Sequence, residues 1–255
     1  MNGARSLVKT LIASGVEVCF ANPGTSEMHF VAALDAEQDM RAVLGLFEGV
    51  VTGAADGYAR VTGRPGVAWA TSGPGATNLV TGLANAMMDS VPMVAITGQV
   101  PRPAIGRDAF QETPIVEVCR GISKHHYLVR DVQDISRVVQ EAFYVATTGR
   151  PGPVLIDLPK DVQENQCVPD WDPAMNLPGY RPDVGPVSRE QVKQVAAAIK
   201  LAKRPVLYCG GGIIAASATE ELRQFAHRLG APVVMTLMGL SGLPSKDDHC
   251  LDMLG

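Results

Sequence analysis

Neither an excess of basic charge nor a long apolar run is present in this sequence. Its 255 residues carry a formal net charge of −4, and so lack the positive field with which proteins neutralise nucleic-acid phosphates. No apolar run reaches the roughly 20 residues that a membrane helix requires. Residues 1–15 alternate faces like an amphipathic helix instead of forming a secretory leader. We therefore expect no nucleic-acid or membrane partner and a cytoplasmic protein.

Paired cysteines and metal-ligand spacings are also absent from the sequence. No Cys-x-x-Cys pair occurs, and scattered free cysteines are typical of buried thiols in a reducing compartment. The cysteines are Cys19, Cys119, Cys167, Cys209 and Cys250. No histidine has a second histidine four residues away, and no Gly-x-Ser-x-Gly elbow is found. Because these patterns are absent, we predict no metal site and no hydrolase triad.

Apolar patterns typical of strands and helices alternate along the chain. Short apolar runs such as 66–71 and 91–97 are typical of strands covered on both faces, and segments of helical periodicity separate them. Such alternation predicts a doubly wound parallel α/β sheet. We expect residues 1–165 to form one domain, proline-rich 166–187 to be a linker, and 188–255 to begin a second Rossmann-like domain. Since about 70 residues cannot cover both faces of a sheet, we expect a truncated second domain.

Three turns are predicted to follow strands at one edge of the sheet, 22–25, 47–49 and 72–75. Ligands bind at the carboxyl edge of an open parallel sheet. Glu48 lies there among apolar neighbours, and either exchanges a proton with a ligand or only begins a helix, where the dipole favours an acid. The glycine-rich turn 72–75 lacks the Gly-Lys-Ser/Thr ending of a P-loop, and 210–212 lacks the dinucleotide fingerprint. By pattern alone, each glycine-rich turn is either structural or ligand-binding.

Several longer strings carry a family resemblance. They are ATSGPGATNLVTGLANAMMDSVPMVAITGQVPR, IGRDAFQETPIVEV, SKHHYLVRDV and TTGRPGPVLIDLPKDVQ, followed by RPVLYCGGGI and TLMGL. These strings are similar to catalytic subunits of the acetolactate synthase (acetohydroxyacid synthase) family. That family has a pyrimidine-binding domain, a central FAD domain and a diphosphate-binding domain. The resemblance implies that only the first domain is complete here and that the chain alone is inactive.

The resemblance also implies an activity. Enzymes of this family use thiamine diphosphate to decarboxylate pyruvate and condense it with a second 2-oxoacid, pyruvate or 2-oxobutyrate, in branched-chain (isoleucine and valine) biosynthesis. Glu48 is implied to be the catalytic glutamate, whose contact with the aminopyrimidine favours the imino form that removes the thiazolium C2 proton. A homodimer or homotetramer and a regulatory subunit are also implied.

Matching strings transfer further roles to individual residues. The thiamine diphosphate pocket is implied to contain Pro23, Gly24, Glu48, Pro74, Asn78 and Gln111. The substrate channel is implied to contain Phe110, Gln111 and Lys160, although Lys160 equally suits a solvated lysine after a strand. FAD contacts are implied for Ser90, Arg150, Gly210, Gly211, Gly212, Thr236 and Leu237. The Mg²⁺ site is implied to lie in the missing carboxyl-terminal domain, with no metal ligand in this chain.

The amino-terminal residues, up to about residue 65, depart from the family pattern. The string CFANPGTSEMHF differs from the family's tyrosine-proline-glycine-glycine string and is closer to benzoylformate decarboxylase-like enzymes. Another thiamine-dependent 2-oxoacid decarboxylase or carboligase is therefore an alternative. A non-catalytic dimerisation fragment is a second alternative.

Overall fold

The computed structural model describes residues 1–182 and 185–254, and the chain forms two compact units, Met1–Asp183 and Val184–Gly255. The helices are α1 Gly3–Ala13, α2 Met28–Ala36, α3 Glu48–Thr62, α4 Pro74–Asn78, α5 Val80–Asp89, α6 Ile115–Cys119, α7 Ile135–Thr147, α8 Lys160–Glu164, α9 Arg189–Leu201, α10 Gly212–Ala215 and α11 Thr219–Leu229. The strands are β1 Val18–Asn22, β2 Arg41–Leu44, β3 Gly66–Ala70, β4 Met93–Gln99, β5 His125–Leu128, β6 Pro153–Pro159, β7 Leu207–Cys209, β8 Val233–Met235 and β9 Cys250–Met253. Within the described ranges, no helix combines the length and hydropathy required to cross a bilayer.

The first unit is built on a six-stranded parallel sheet with the order β2-β1-β3-β4-β6-β5. The chain runs from β1 to β2 at one edge, then returns through α3 to β3 on the other side of β1. The boundary between β1 and β3 is therefore the point at which the winding direction reverses. This arrangement confirms the predicted doubly wound parallel α/β sheet.

Every residue of the central strands is buried. β3, β4 and β6 are covered on both faces, as their apolar runs predict. Along β3, Trp69 packs into a core with α1, α2 and α7, whereas Ala68 packs into a second core with α3 and α5. On that second face, a Cβ added to Gly66 would lie 2.1 Å from the carbonyl oxygen of Ala55. The backbone of α3 therefore lies directly on β3, with no side chain between them.

Three helices or strands of the first unit were not predicted from the sequence, β5, α6 and the five-residue α8. β5 is a half-buried edge strand with the polar sequence HHYL, so it has no apolar run to identify it. α6 has only five residues, too few to show helical periodicity. Residues 76–88, which have helical periodicity between the strand runs 66–71 and 91–97, are divided between α4 and α5, which meet at Leu79.

Segment 166–182, where the sequence predicts a linker, lies against the first unit. The backbone N–H of Asn176 donates to the buried carboxylate of Glu141 at 2.6 Å. The hydroxyl of Tyr180 donates to the carbonyl oxygen of Thr148 at 3.0 Å. These bonds to α7 and the residue after it fix the segment on the outside of that helix.

The second unit contains a smaller parallel sheet with the order β7-β8-β9. Its core is formed by α11 and the strands, through Leu222, Ala226, Val233, Met235 and Leu243. None of the residues of α9 is buried. The second unit therefore has a small core centred on one face of α11.

Candidate functional site

Glu48 is the first residue of α3 and lies at the carboxyl edge of the sheet, where the winding reverses. The side-chain amide of Asn22, at the end of β1, donates to Glu48 Oε1 at 2.9 Å. The side-chain amide of Asn78, at the end of α4, donates to Glu48 Oε2 at 2.9 Å. Only 9% of Glu48 is exposed. Each carboxylate oxygen is therefore held by one amide, which fixes the direction in which the group points.

The surroundings of Glu48 differ from the apolar neighbourhood that the sequence indicates. Leu44, Leu46, Phe47 and Val50 are all exposed, because the chain at the end of β2 runs along the open edge of the sheet. The carboxylate instead faces amides and bare backbone. Sequence reasoning also missed Asn22, although its position immediately before Pro-Gly at a strand end is typical of a residue that faces a ligand edge.

The two glycine-containing turns on either side of the winding reversal meet at Thr71. A Cβ added to Gly24 would lie 2.4 Å from Thr71 Oγ1, and one added to Gly75 would lie 2.6 Å from Thr71 Cγ2. The Cβ at Gly75 would also lie 3.1 Å from Glu48 Oε1. Only glycine fits at these contacts. The structure therefore brings together the three turns that the sequence places at this edge, with Pro23 and Pro74 beside the two glycines.

A loop carrying Phe110 and Gln111 docks on the same edge. Gln111 has a positive φ of 60°, and a Cβ added to Gly73 would lie 2.4 Å from its carbonyl oxygen. The Glu112 carboxylate accepts the backbone N–H of Ala109 at 2.9 Å and also that of Gly106, which closes the loop. Phe110 is 88% exposed and points away from the core. The docking of this loop on the turn 72–75 therefore places Phe110 and Gln111, two of the three residues predicted for the channel, at this edge.

Lys160 begins α8 at the carboxyl end of β6. Its positive charge lowers the pKa of the buried Glu27, against the larger effect of burial. Glu27 was not predicted from the sequence. Its Oε2 accepts the backbone N–H of Gly24 at 2.8 Å, as in a helix capping box, where a glutamate follows three residues after the cap. Burial raises the pKa of Glu27. The hydrogen bond from Gly24 to Glu27 thus stabilises the turn that contains Gly24.

Asp157, in β6, is a second buried carboxyl group under this edge. Its Oδ1 accepts the hydroxyl of Thr97 at 2.8 Å, and its Oδ2 accepts the amide of Gln99 at 2.9 Å. Burial raises the pKa of Asp157 from 3.8 to about 7, against the lowering effect of these two bonds. The folded protein therefore binds a proton here at pH values at which the unfolded chain does not.

This raised pKa predicts a pH dependence of stability. The contribution of Asp157 is fully present below about pH 4 and is lost as the pH rises to about 7, by roughly 4 kcal/mol in the free energy of unfolding. Asp157→Asn imitates the protonated group and should remove this part of the pH dependence in urea titrations. Asp35→Asn, at an exposed position, is the control. A slope unchanged in Asp157→Asn would contradict the assignment.

The residues implied to contact FAD lie in two groups. In the first unit, Arg150 Nε donates to Ser90 Oγ at 2.7 Å. In the second unit, 210–212 follow β7 and Thr236 follows β8, where the Thr236 hydroxyl accepts a backbone N–H. Leu237 is exposed. Within the second unit, the glycines, Thr236 and Leu237 share the carboxyl edge of its sheet.

Two family models match this chain, and the first of them includes the carboxyl edge that carries Glu48. Residues 1–118 match the family model described as thiamine pyrophosphate enzyme, N-terminal TPP binding domain. Residues 192–255 match the model described as thiamine pyrophosphate enzyme, central domain. The first match contains Glu48 together with Asn22 and Asn78. The second contains the glycine-rich turn after β7.

Curated relatives are similar over nearly the whole chain. Acetolactate synthase 3, chloroplastic, of Brassica napus is 56% identical over 254 residues, which are 99% of this chain and 39% of that protein. Acetolactate synthase, chloroplastic, of Arabidopsis thaliana is 53% identical over 99% of this chain and 38% of that protein. Acetolactate synthase 2, chloroplastic, of Nicotiana tabacum is 55% identical over the same shares. The chain thus spans about two fifths of the length of these relatives.

These comparisons correct one expectation and settle the family. The three relatives are all named chloroplastic, so the cytoplasmic location predicted from the sequence is wrong. The two domain models together match most of the chain, and the similarity to acetolactate synthases extends beyond both. The chain therefore belongs to the thiamine pyrophosphate enzyme family.

Proposed function

We propose that the chain is the pyrimidine-binding part, with the start of the central domain, of an acetolactate synthase catalytic subunit. The observation that carries this proposal is the Glu48 carboxylate, held by Asn22 and Asn78 where the winding of the sheet reverses. The names and identities of the relatives support the same activity. The full enzyme would decarboxylate pyruvate and join the remaining two carbons to a second 2-oxoacid.

The residues around Glu48 fit an aminopyrimidine ring. The carboxylate lies at the edge formed by the turns that contain Pro23, Gly24 and Pro74, 3.1 Å from where a Cβ at Gly75 would stand, and it can accept or share a proton with a ring nitrogen. Thiamine diphosphate, when bound, supplies the electron sink for cleaving the bond to the carboxylate of a 2-oxoacid. Glu48 holds the proton at the ring, while the two asparagines keep its oxygens in a fixed orientation.

The substrates are proposed to be pyruvate and, as the second 2-oxoacid, pyruvate or 2-oxobutyrate. Lys160 supplies a positive charge at the carboxyl edge, which suits a substrate carboxylate. Phe110 is exposed beside Gln111 and provides an apolar surface for a short alkyl group. These products would serve isoleucine and valine biosynthesis.

FAD and Mg²⁺ are proposed as further cofactors. At Gly212 an added Cβ would meet no atom within 4 Å, and at Gly210 only Thr236 Oγ1 at 3.7 Å, so this backbone is open to a ligand such as a dinucleotide. Ser90 and Arg150 of the first unit are proposed as FAD contacts on the family resemblance alone. Mg²⁺ would be held outside the residues of this chain, by the diphosphate-binding domain of the full-length enzyme.

A dimer is proposed from exposed apolar side chains at the start of α3. We define the sheet-edge patch as Leu44, Leu46, Phe47 and Val50, all exposed. An apolar patch beside a ligand edge is typical of a subunit contact. A second copy of the chain would cover it, in a homodimer or in a homotetramer built from two such pairs, to which a regulatory subunit could add.

Val50→Asp is expected to shift the protein to monomers in sedimentation experiments, because an ionised carboxylate cannot be buried unpaired in an apolar contact. The substitution lies in the first turn of α3, where the dipole favours an acid, so the helix should remain intact. Val61→Asp introduces the same charge at the exposed far end of α3 and should leave the association unchanged. Equal association of both variants would contradict the sheet-edge patch as the interface.

The activity itself is tested with the full-length protein, supplied with thiamine diphosphate, Mg²⁺, FAD and either pyruvate or benzoylformate. Acetolactate formation from pyruvate is the expected result. Preference for benzoylformate would favour the alternative decarboxylase, and no turnover of either would favour a dimerisation fragment. Residues 1–255 alone are expected to be inactive, since they span only about two fifths of the length of the relatives.

A further inference from the structure

Three side chains of the second unit converge at the end of α11. His227 lies in the last turn of this helix, and Asp247 and His249 lie on the segment that leads into β9. His227 Nε2 is 2.9 Å from Asp247 Oδ2, and His249 Nδ1 is 3.5 Å from Asp247 Oδ1. The potential ligand atoms of all three lie within 4.8 Å of one another. The sequence could not indicate this cluster, because twenty residues separate His227 from Asp247.

The chemistry and spacing of the cluster suit a borderline divalent cation. Two imidazole nitrogens and one carboxylate oxygen are the ligand types of open zinc sites. With bonds of about 2.0–2.1 Å, tetrahedral ligand atoms are about 3.3 Å apart, and the potential ligand atoms here, one from each residue, lie within 4.8 Å of one another. Small movements of the two rings would therefore bring all three atoms into a coordination shell.

Two features show that the cluster is prepared for a ligand. His249 Nδ1 is buried and makes no hydrogen bond within the described part of the chain, so its lone pair or proton is unused. The side chain of Asp247 is only 5% exposed, and its Oδ1 accepts the backbone N–H of His249 at 3.0 Å. The carboxylate is thus fixed in place while the Nδ1 atom of His249 beside it makes no hydrogen bond to any described residue.

Arg223 is the group that opposes a cation here. Its Nε lies 3.3 Å from Asp247 Oδ2, and its other end lies 3.8 Å from Glu220. The side chain is 52% exposed, so it can turn away towards Glu220 and solvent. Its removal would leave Asp247 more available to a cation.

We propose that His227, Asp247 and His249 form a binding site for a zinc-class divalent cation. The site ties the end of α11 to the segment before β9 and leaves a coordination position open to solvent. It is independent of the thiamine chemistry, because all of its residues lie in the second unit and no step at Glu48 involves them.

The test is a Zn²⁺ titration of the 255-residue chain against a chromophoric chelator, with circular dichroism of each variant to show that it is folded. Wild type should bind one equivalent. Loss of an outer-shell partner alone typically weakens metal binding 10- to 100-fold, so His227→Gln and His249→Gln should each weaken it at least about tenfold. Zn²⁺ should also raise the Tm of wild type, and the increase should be much smaller in these two variants.

Three further variants distinguish a cation site from a cluster that only ties α11 to the segment before β9. Arg223→Gln should tighten Zn²⁺ binding, whereas a purely structural cluster would gain nothing. Cys250→Ser removes the neighbouring thiol and His29→Gln a histidine of the first unit, and both should bind as wild type does. Absence of binding in wild type, or equal affinity in both cluster histidine variants and wild type, would overturn the proposal, as would loss of binding in Cys250→Ser.

Discussion

Glu48→Gln is expected to lower kcat of the full-length enzyme on the order of 10²- to 10⁴-fold, equivalent to about 3–5 kcal/mol of barrier. Glutamine keeps the size of the side chain but cannot hold the proton that the pyrimidine must exchange. One end of its amide would also face an asparagine amide as donor to donor, since both carboxylate oxygens now accept. Hydrogen–deuterium exchange at C2 of bound thiamine diphosphate, followed by NMR, should slow in proportion.

The control is Glu141→Gln, the same change at another buried carboxylate. Glu141 lies on α7 and pairs with Arg137 at 3.1 Å, away from the ligand edge. This variant should lose stability, because it disrupts a buried pair, yet exchange C2 protons at the wild-type rate once folded. If Glu48 only began a helix, its substitution would cost about 1 kcal/mol of stability or less, and exchange within about threefold of wild type would reject its catalytic role.

Trp69→Ala is expected to reduce the free energy of unfolding by about 3–5 kcal/mol. Trp69 is fully buried in β3, and its ring stacks on Phe30 of α2 with centroids 3.5 Å apart and planes 12° from parallel. Alanine would leave a cavity between the sheet and the helix that follows the turn of Gly24. Urea unfolding monitored by far-ultraviolet circular dichroism measures the change.

Trp69→Phe separates the packing of the ring from its polar atom. The indole Nε1 is buried and has no hydrogen-bond partner among the described residues, so phenylalanine removes an unsatisfied donor while it keeps an aromatic ring against Phe30. We expect a cost of about 1–2 kcal/mol, well below that of alanine. Equal losses in the two variants would show that the stack contributes little.

The sheet could be predicted from the sequence because its central strands are buried on both faces. Runs such as 66–71 and 91–97 have no polar alternation, and only a covered parallel sheet accommodates several of them. β5 was not predicted because every residue of this edge strand is partly exposed, so its polar sequence HHYL contains no apolar run. The cytoplasmic location was wrong because composition and the amphipathic pattern of residues 1–15 do not record the compartment.

The candidate site was only partly accessible from the sequence. Local pattern left Glu48 undecided between a helix start and a catalytic acid, and family resemblance favoured the second. Its contacts were not predictable, because Asn22 and Asn78 are 26 and 30 residues away along the chain and meet it only through the strand order. Glu27 and Asp157 were missed for the same reason, since burial of a carboxyl group becomes visible only when the layers pack.

The direct contact of Gly66 with the Ala55 carbonyl has a consequence for engineering. A side chain at an interface acts as an adjustable spacer, and a library of substitutions can shift a helix by exchanging it. No such adjustment exists here, so α3 cannot be repositioned from its middle. Variation intended to redesign the ligand edge should therefore be confined to the exposed positions before and within the first turn of α3, with Gly66 and Ala55 held constant.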